Sequence, residues 1–415
     1  MIEYGLLGAK LGHSYSKPIH NLLADYSYEL YAVTPEELKE LMISREFRGL
    51  NVTIPYKKDV LPYLDEISDE VREVGSANTL VMGKDGKLRG YNTDLPGFLS
   101  MADRAGIVLT GKKVVILGSG GTSLTAQAAA RRRNAREMIV VSRSGEVNYE
   151  RLYRDHTDAE VIINTTPVGM YPGNGESPID LAAFPACCGV LDVIYNPFHT
   201  ALLQQAEERG IPSENGLWML VAQAKYAAEY FTETSIPDEK IAEVYGRMRA
   251  EMSNLILTGM PGSGKSTVGK AIAEEMGRTF VDMDEIIVRL AGKSIPEIFS
   301  EDGEEAFRKL ETEAARECGR EKSLIIATGG GAVTREETMR ALQQNGEILF
   351  LERPLESLPT NGRPLSQGGL DALRAMYEKR LPLYRKYAAR CIDNSGSFEK
   401  TVAAAMEGFY EAANH

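Results

Sequence analysis

Short apolar runs recur along the chain, separated by segments that have the periodicity of amphipathic helices. Four of these runs follow one another in the middle of the chain, at residues 114–117, 138–141, 161–164 and 190–194. A continuous apolar run of this length, without alternation, is typical of a parallel strand that is buried on both faces. Strands that alternate with helices predict an α/β fold.

The same pattern returns towards the C-terminus and predicts a second α/β unit. Apolar runs at residues 255–257, 324–327 and 348–351 are predicted to be strands. A helix is predicted at residues 268–276, and a further helix at 299–313 carries Arg308.

The N-terminal part predicts strands at residues 2–8 and from Gly49 onwards, with small polar residues at strand ends. Ser14 and Ser16 follow the first strand, and alternate residues of an extended segment point the same way, so their hydroxyls are predicted to share a face. Taken alone, an ordinary serine-rich turn is the simpler interpretation of this pair. Lys57, taken alone, is most simply a solvated surface lysine.

Length and composition set broad bounds. A chain of 415 residues is too long for one hydrophobic core, so two or three domains are expected. The net charge of −12 argues against a general nucleic-acid binder. No signal peptide and no bilayer-spanning run is evident, and the four cysteines lack metal-ligand spacing. We therefore expect a cytoplasmic protein with reduced thiols and no membrane partner.

A glycine turn follows the strand predicted at residues 114–117. Gly118 and Gly120 lead into an alanine-rich helix, which is the strand–turn–helix unit of a dinucleotide-binding fold, although Ser123 stands at the third glycine position. The next strand ends in Ser142 and Arg143, where an NAD-selective site would place an acidic residue. An arginine there suits the 2′-phosphate of NADP. The alternative is a surface arginine that happens to follow a strand.

A phosphate-binding loop follows the strand predicted at residues 255–257. Gly259, Gly264, Lys265 and Ser266 have the spacing of a P-loop, in which backbone N–H groups, a lysine and a hydroxyl surround the phosphates and Mg²⁺ of a nucleotide. A chance glycine-rich turn is the alternative.

Two aspartates, Asp282 and Asp284, end the strand after the P-loop helix. A carboxylate there is placed for Mg²⁺ or for a substrate hydroxyl, and the alternative is that one of them caps a helix.

These motifs together resemble two known families. The first half, from Gly5 to about Tyr230, resembles shikimate dehydrogenase, and the second, from about Leu255, resembles shikimate kinase. The first resemblance depends on the motifs at residues 49–57, 90–94 and 164–170, in that order along the chain. The second depends on the P-loop, Asp-Met-Asp, Phe-Arg, Gly-Gly-Gly and Arg-Pro-Leu motifs, also in order.

The resemblance implies an α/β protein with a two-lobed dehydrogenase, including a Rossmann NADP domain, followed by a P-loop kinase domain with a central parallel sheet. The implied domains are a substrate-binding lobe at residues 1–95, completed by helices from about 217–250, a Rossmann domain at 96–216 and a kinase domain at 251–415. The implied reactions are NADP-dependent reduction of 3-dehydroshikimate to shikimate and ATP- and Mg²⁺-dependent phosphorylation of shikimate at its 3-hydroxyl.

For the dehydrogenase, the resemblance makes Lys57 and Asp94 the catalytic pair, because hydride transfer at C3 must be coupled to a proton moving on or off its oxygen. The residues that match the substrate site are Ser14, Ser16, Thr53, Asn78, Tyr195 and Gln223. Those that match the NADP site are Gly118, Ser119, Gly120, Gly121, Thr122, Ser142, Arg143 and Gly216.

For the kinase, the resemblance gives catalytic roles to Lys265, Asp284 and Arg363. The residues that match the shikimate site are Asp284, Arg308, Gly329, Gly330, Gly331 and Arg380. Those that match the ATP site are Gly262, Ser263, Gly264, Lys265, Ser266, Thr267 and Arg363. Ser266 and Asp282 match the positions that hold Mg²⁺.

The chain departs from the families' patterns at three places. Lys17 intervenes between the serine pair and Pro18, and the segment between Asn21 and Gly49 is short. The kinase loop before Arg363 is also short and lacks a second arginine, which predicts weak affinity for ATP. The alternatives are a quinate or quinate/shikimate dehydrogenase joined to a kinase for another small hydroxylated acid, and a regulatory protein that keeps both binding sites without catalysis. The oligomeric state is not predicted.

Overall fold

The computed structural model describes residues 2–12, 14–358 and 369–413. The chain folds into two compact units: Met1–Met170 with Glu176–Tyr245, and Tyr171–Gly175 with Gly246–His415. The predicted three-domain boundaries stay a prediction. None of the described helices is both long and apolar enough to cross a membrane.

The first unit begins with a mixed six-stranded sheet. Its strands are β1 (Ile2–Gly8), β2 (Tyr28–Ala32), β3 (Phe47–Val52), β4 (Glu66–Ile67), β5 (Thr79–Met82) and β6 (Leu88–Tyr91), in the order β2-β1-β3-β5-β6-β4. The strand β1 pairs in parallel with β2 and β3, whereas β5 is antiparallel to β3 and β6. The helices of this part are α1 (Ser16–Leu23), α2 (Pro35–Ser44), α3 (Asp69–Val74) and α4 (Asp94–Arg104).

The second sheet of this unit is entirely parallel. Its strands are β7 (Lys113–Leu117), β8 (Glu137–Val141), β9 (Val161–Asn164), β10 (Gly189–Asp192) and β11 (Ser213–Glu214), in the order β11-β10-β9-β7-β8. The helices are α5 (Gly121–Arg132), α6 (Tyr149–Asp155), α7 (Ala201–Glu208) and α8 (Leu217–Thr232). The helix α9 (Glu239–Met252) begins in this unit and ends in the second.

Burial on both faces explains the continuous apolar run of β7. Val114 and Ile116 pack into the core that contains Phe98 on α4, whereas Val115 and Leu117 pack into a different core on the opposite face. A strand between two cores has no solvent-facing side, so no polar alternation is needed. The prediction of parallel strands in this region is confirmed, but β8 is an edge strand in which only Val141 is buried.

The second unit contains a five-stranded parallel sheet. Its strands are β12 (Asn254–Thr258), β13 (Thr279–Asp282), β14 (Leu324–Ala327), β15 (Gly346–Glu352) and β16 (Arg390–Asp393), in the order β13-β14-β12-β15-β16. The helices are α10 (Lys265–Met276), α11 (Met283–Ala291), α12 (Ile295–Glu301), α13 (Gly303–Gly319), α14 (Glu336–Gln343), α15 (Gly369–Tyr387) and α16 (Phe398–Ala413). The predicted α/β fold is thus confirmed in both units.

Two local predictions are wrong. The single helix expected at residues 299–313 is two helices, α12 and α13, which break at Asp302 because Gly303 adopts a φ of 84°. A left-handed residue cannot continue a right-handed helix. The extended segment expected around the serine pair ends before Ser16, which is the first residue of α1.

Candidate active sites

A cavity of about 290 Å³ lies in the first unit between the loops of its two sheets. All the residues predicted for the dehydrogenase substrate site and catalytic pair line it, together with two from the predicted cofactor site. The residues are Ser14, Ser16, Thr53, Lys57, Asn78, Asp94, Thr122, Tyr195, Gly216 and Gln223. Residues that are far apart in sequence thus meet in one cavity.

The charged pair of this cavity is Lys57 with Asp94. Lys57 follows β3 in a turn, and Asp94 is the first residue of α4, so two different elements bring the groups together. Lys57 Nζ donates to Asp94 Oδ2 over 2.6 Å, and both side chains are partly exposed to the cavity. The carboxylate fixes the position of the ammonium, which keeps donors for a ligand.

The polar groups around this pair are held by hydrogen bonds. Ser14 Oγ donates to Ser16 Oγ over 3.1 Å, so the two hydroxyls converge even though Ser16 belongs to a helix. Asn78 Nδ2 donates to Thr93 Oγ1 over 3.0 Å, and the backbone N–H of Thr93 donates to Asn78 Oδ1 over 2.7 Å. Gln223 Nε2 donates to the carbonyl of Leu220 over 2.9 Å. The cavity therefore presents oriented hydroxyl and amide groups.

Two further features of the cavity bear on binding. Burial raises the pKa of the Tyr195 phenol, with the nearby Tyr15 adding to the shift, so Tyr195 stays a neutral donor. Asn51 also lines the cavity and was missed by the sequence reasoning. It accepts from the Tyr28 hydroxyl over 2.8 Å and donates to Thr79 Oγ1 over 3.0 Å. Its place beside Thr53 on an alternating strand was the signal that could have found it.

The glycine turn after β7 has the shape that a dinucleotide requires. Gly118 has a φ of 106°, and a Cβ atom there would lie 2.7 Å from Thr165 Oγ1. A Cβ atom at Gly120 or Gly121 would meet no atom within 4 Å, so this side of the turn is open at the N-terminus of α5. Open backbone N–H groups at a helix N-terminus fit a pyrophosphate.

Ser123, at the third glycine position, is compatible with this turn. It is completely buried, and its hydroxyl accepts from Gln127 Nε2 over 3.1 Å within α5. Gly216 is needed as glycine for another reason, because a Cβ atom there would overlap the carbonyl oxygen of Val193. Thr122 and Gly216 connect the turn to the cavity that contains Lys57.

Ser142 and Arg143 lie in an exposed turn after β8. The backbone N–H of Ser142 donates to the carbonyl of Val147 over 3.1 Å, which closes the turn. The side chain of Arg143 is exposed and has no hydrogen-bond or ion-pair partner among the residues that the structure describes. The guanidinium is therefore available to an anionic group such as a 2′-phosphate.

The second unit contains a larger cavity of about 730 Å³. Predicted ATP, metal and substrate residues line it together, namely Gly262, Gly264, Lys265, Ser266, Thr267, Asp282, Asp284, Arg308, Gly329, Gly330, Gly331 and Arg380. Ser119 lies in the glycine turn after β7, and Ser263 lies in the P-loop. Neither serine lines either cavity. Arg363 lies outside the described residues.

The phosphate-binding loop is shaped by three glycines with positive φ. These are Gly259 at 151°, Gly262 at 84° and Gly264 at 92°. Lys265, the first residue of α10, donates from Nζ to the carbonyls of Gly259 and Met260 over 2.9 and 3.0 Å. The ammonium is thus buried under the loop, beside the backbone N–H groups that would surround a phosphate.

Ser266 and Asp282 form an oxygen-rich pair below this loop. Ser266 Oγ donates to Asp282 Oδ2 over 2.7 Å, while Asp282 Oδ1 accepts from the backbone N–H of Asp284. Asp282 therefore caps α11 with one oxygen and faces the P-loop with the other. A hydroxyl and a carboxylate are the hard oxygen ligands that Mg²⁺ prefers. Among the described residues, no group of three or more His, Cys, Asp or Glu side chains could hold a metal by itself.

The predicted shikimate-binding residues meet on the other side of the cavity. Arg308 is 5% exposed and donates to Glu311 Oε2 over 2.7 Å and to Glu304 Oε1 over 3.2 Å. Arg380 Nη1 donates to the carbonyl of Gly330 over 2.9 Å, and the Tyr384 hydroxyl donates to the same oxygen over 2.6 Å. Two guanidinium groups therefore border one pocket, and a guanidinium can bind a carboxylate bidentately.

Space explains why three consecutive glycines follow β14. A Cβ atom at Gly329 would lie 2.6 Å from Glu311 Oε1, and one at Gly331 would overlap the guanidinium of Arg308. A Cβ atom at Gly330 would lie 2.7 Å from the ring of Pro261. Any side chain here would displace the charged groups or the P-loop.

The sequence reasoning missed two charged residues of this cavity, Glu311 and Arg353. Glu311 is completely buried, and this burial raises the pKa of its carboxyl although the Arg308 guanidinium opposes the shift. The spacing of three residues from Arg308 on a helix was the signal that could have found it. Arg353 directly follows β15, and no family motif pointed to it.

Comparisons with known proteins agree with both halves. The family model described as the shikimate dehydrogenase substrate binding domain matches residues 6–80, and the model described as shikimate kinase matches residues 261–409. A shikimate dehydrogenase (NADP(+)) of Clostridium perfringens is 33% identical over 267 residues, which are 59% of this chain and 98% of that protein. One of Caldicellulosiruptor bescii is 39% identical over 246 residues, 53% of this chain and 85% of that protein.

Solved structures are similar to the same part of the chain. A chorismate mutase/shikimate 5-dehydrogenase fusion protein from Clostridium acetobutylicum has a TM-score of 0.56 and 36% identity, and the match covers 60% of this chain and 97% of that one. A shikimate 5-dehydrogenase of Thermus thermophilus, solved in complex with NADP(H) and shikimate, has a TM-score of 0.52 and 29% identity, covering 59% of this chain and 98% of that one.

Proposed function

Because the chain belongs to the shikimate dehydrogenase family and carries a shikimate kinase domain behind it, we propose that it catalyses two consecutive reactions. The first unit reduces 3-dehydroshikimate to shikimate with NADPH. The second unit phosphorylates the 3-hydroxyl of shikimate with ATP and Mg²⁺. The free thiols of the four cysteines suit the reducing cytoplasm as the site of both reactions.

In the first reaction, the chain's own residues bind the substrate and supply the proton. The Ser14 and Ser16 hydroxyls bind the carboxylate, while Thr53, Asn78, Tyr195 and Gln223 bind the ring oxygens. NADPH, when bound, supplies the hydride. Lys57 donates a proton to the C3 oxygen as that oxygen becomes a hydroxyl, and Asp94, 2.6 Å away, orients the ammonium.

The turn after β7 and the turn after β8 bind the cofactor of this reaction. Gly120 and Gly121 leave space for the pyrophosphate at the start of α5, and Gly118 provides the positive φ of the turn. Arg143 binds the 2′-phosphate, which makes NADP the preferred cofactor over NAD. Gly216, which lines the substrate cavity, lies near the nicotinamide end of the cofactor.

In the second reaction, the guanidinium groups of Arg308 and Arg380 bind the carboxylate of shikimate. Asp284 accepts a hydrogen bond from the 3-hydroxyl and takes its proton as the phosphoryl group is transferred. Lys265 and Arg363 stabilise the charge on that group, the role of Arg363 resting on the sequence alone. Ser266 and Asp282 hold Mg²⁺, which supplies charge neutralisation on the phosphate oxygens when bound.

The observation that carries the proposal is that each family's scattered motif residues converge on one cavity. In the first unit these come from the helices α1, α4, α5 and α8 and from loops, and in the second from the P-loop, α11, α13, the glycine turn and α15. The Lys57–Asp94 pair, 2.6 Å apart in this cavity, favours catalysis over binding alone.

The test uses the full-length protein in two assays. Absorbance in the nicotinamide band is followed with NADP⁺ and shikimate, and ADP release is followed with ATP, Mg²⁺ and shikimate. We expect turnover in both. Lys57→Ala should abolish only the first activity and Lys265→Ala only the second, so each variant is the control for the other. Turnover with quinate and not shikimate, or turnover in neither assay, would overturn the proposal.

A further inference from the structure

Arg353 lies at the edge of the phosphate-binding loop of the second unit. It directly follows β15, next to the strand β12 that leads into the P-loop. Its Nη1 atom is 4.0 Å from the position that a Cβ atom of Gly264 would occupy. The side chain therefore reaches the loop from the opposite side to Asp282, which ends the edge strand β13, and Asp284, which lies just after it.

The guanidinium of Arg353 borders two spaces at once. One is the cavity of about 730 Å³ that contains Lys265 and Ser266, and the other is an adjoining cavity of about 300 Å³. The smaller cavity is lined by Thr267, Asn394 and Phe398, among others. Arg353 thus stands at the junction between the phosphate site and a second space beside it.

Arg353 has no hydrogen-bond or ion-pair partner within the described ranges, 2–12, 14–358 and 369–413, although it is half-buried. Its neighbour Glu352 is already engaged, because its Oε1 accepts from the Tyr377 hydroxyl over 2.7 Å and lies 3.5 Å from Arg385 Nη2. A half-buried guanidinium with unused donors favours an oxyanion as partner.

The smaller cavity has the features of a site for a flat ring. Phe398, at the start of α16, is 43% exposed, which is unusual for a phenylalanine. Asn394 is held rigidly, because its Nδ2 donates to the carbonyl of Ser263 over 2.6 Å and its Oδ1 accepts from Thr401 over 2.9 Å. The exposed aromatic ring can stack on a planar group, and the fixed amide next to it can border the edge of that group.

We propose that Arg353 is a nucleotide-binding residue of the second unit, whose guanidinium binds the phosphate chain of ATP where the chain passes from the P-loop towards the smaller cavity. The inference rests on the proposed kinase function. Arg353 supplies a cation for the nucleotide from the end of β15, outside the segment around Arg363. This contact would strengthen ATP binding, contrary to the weak affinity that the short loop predicts.

The test compares Arg353→Ala and Arg353→Lys with Arg385→Ala in the full-length protein. Arg385 is a matched control because it is an exposed arginine that contacts the adjacent Glu352. The measurements are kcat, KM for ATP and for shikimate, and the dissociation constant of Mg-ADP by calorimetry. Losing a charge-assisted hydrogen bond should raise KM for ATP and the Mg-ADP constant about ten- to a hundredfold. Arg353→Lys should have an intermediate effect, because lysine keeps the charge and loses the planar fork.

Three results separate the inference from the proposed function. KM for shikimate and the dehydrogenase activity should not change in Arg353→Ala, which also shows that the variant is folded. An unchanged KM for ATP and Mg-ADP constant, or an equal change in Arg385→Ala, overturns the role of Arg353 while the kinase function stands. If the wild-type protein binds Mg-ADP but releases no ADP with shikimate, shikimate is not its substrate. In that case the dissociation constants of Mg-ADP for the wild type and Arg353→Ala still test whether Arg353 binds the nucleotide.

Discussion

Acid should destabilise the first unit through His20, a completely buried histidine on α1. Its ring stacks on Tyr28 with centroids 3.9 Å apart, and its Nδ1 lies 2.5 Å from the Tyr26 hydroxyl. Burial lowers the pKa of His20 from 6.5 to about 3. The unfolded chain therefore binds a proton below pH 6.5 that the folded unit refuses until about pH 3. The stability contribution is complete above pH 6.5 and is lost as the pH falls.

The size of this effect follows from proton linkage. Lowering the pH from 7 to 5 should cost the folded unit about 2 kcal/mol through His20 alone. His20→Phe keeps a ring against Tyr28 and removes the titration, so this variant should lose about 2 kcal/mol less than the wild type over the same interval. Taking the difference between the two proteins cancels every other titrating group.

The assay exploits the single tryptophan of the chain. Trp218 lies on α8 in the first unit, where its Nε1 donates to Ser100 Oγ over 2.9 Å, so its fluorescence reports the unfolding of this unit only. Urea unfolding of wild type and His20→Phe would be measured at pH 5, 6 and 7. Equal losses of unfolding free energy in the two proteins would refute a buried neutral histidine.

Three further predictions concern catalysis. Arg143→Ala should raise KM for NADP⁺ much more than for NAD⁺, because only NADP⁺ carries the 2′-phosphate, and equal effects on the two cofactors would contradict this role. Lys57→Ala should lower kcat by about a hundredfold or more and leave the dissociation constant of shikimate nearly unchanged, since proton transfer acts in the transition state; a variant with normal kcat and raised KM would make Lys57 a binding residue only. Arg363→Ala should remove most phosphoryl transfer, about a thousandfold in kcat, whereas near-normal kcat would show that this arginine does not serve the transition state.

The features that could be predicted from the sequence are those that depend on residues close together in the chain. The parallel strands could be identified because a strand between two cores must be apolar throughout, as β7 is. The two phosphate-binding turns could be identified because glycine is required where a Cβ atom would overlap a neighbour, as at Gly118. The Lys57–Asp94 pair was predicted only through the family resemblance, because 37 residues separate the two groups.

The features that sequence reasoning missed depend on long-range packing. The break at Asp302 depends on the φ of Gly303, and glycine within a helical pattern is ambiguous in sequence. A glutamate on a helix, such as Glu311, is normally expected on the surface, and only the fold shows that it is buried against Arg308. Arg353 belongs to no motif and gains its place from the pairing of β15 with β12.

The two cavities differ in charge in the way that the two reactions require. The first has one charged pair, Lys57 and Asp94, among its lining residues, and the proposed reaction moves one proton at a substrate with one carboxylate. The second is lined by the cations Lys265, Arg308, Arg353 and Arg380 and by the carboxylates Asp282, Asp284 and Glu311. This excess of positive charge occurs in a chain whose net charge is −12. A site that brings a triphosphate to a carboxylate must offset their mutual repulsion, and Glu311 keeps Arg308 in place without cancelling the remaining cations. In the proposed function, the same acid is bound by neutral hydroxyls in the cavity of the first unit and by guanidinium groups in the cavity of the second, where it must lie beside the phosphates of ATP.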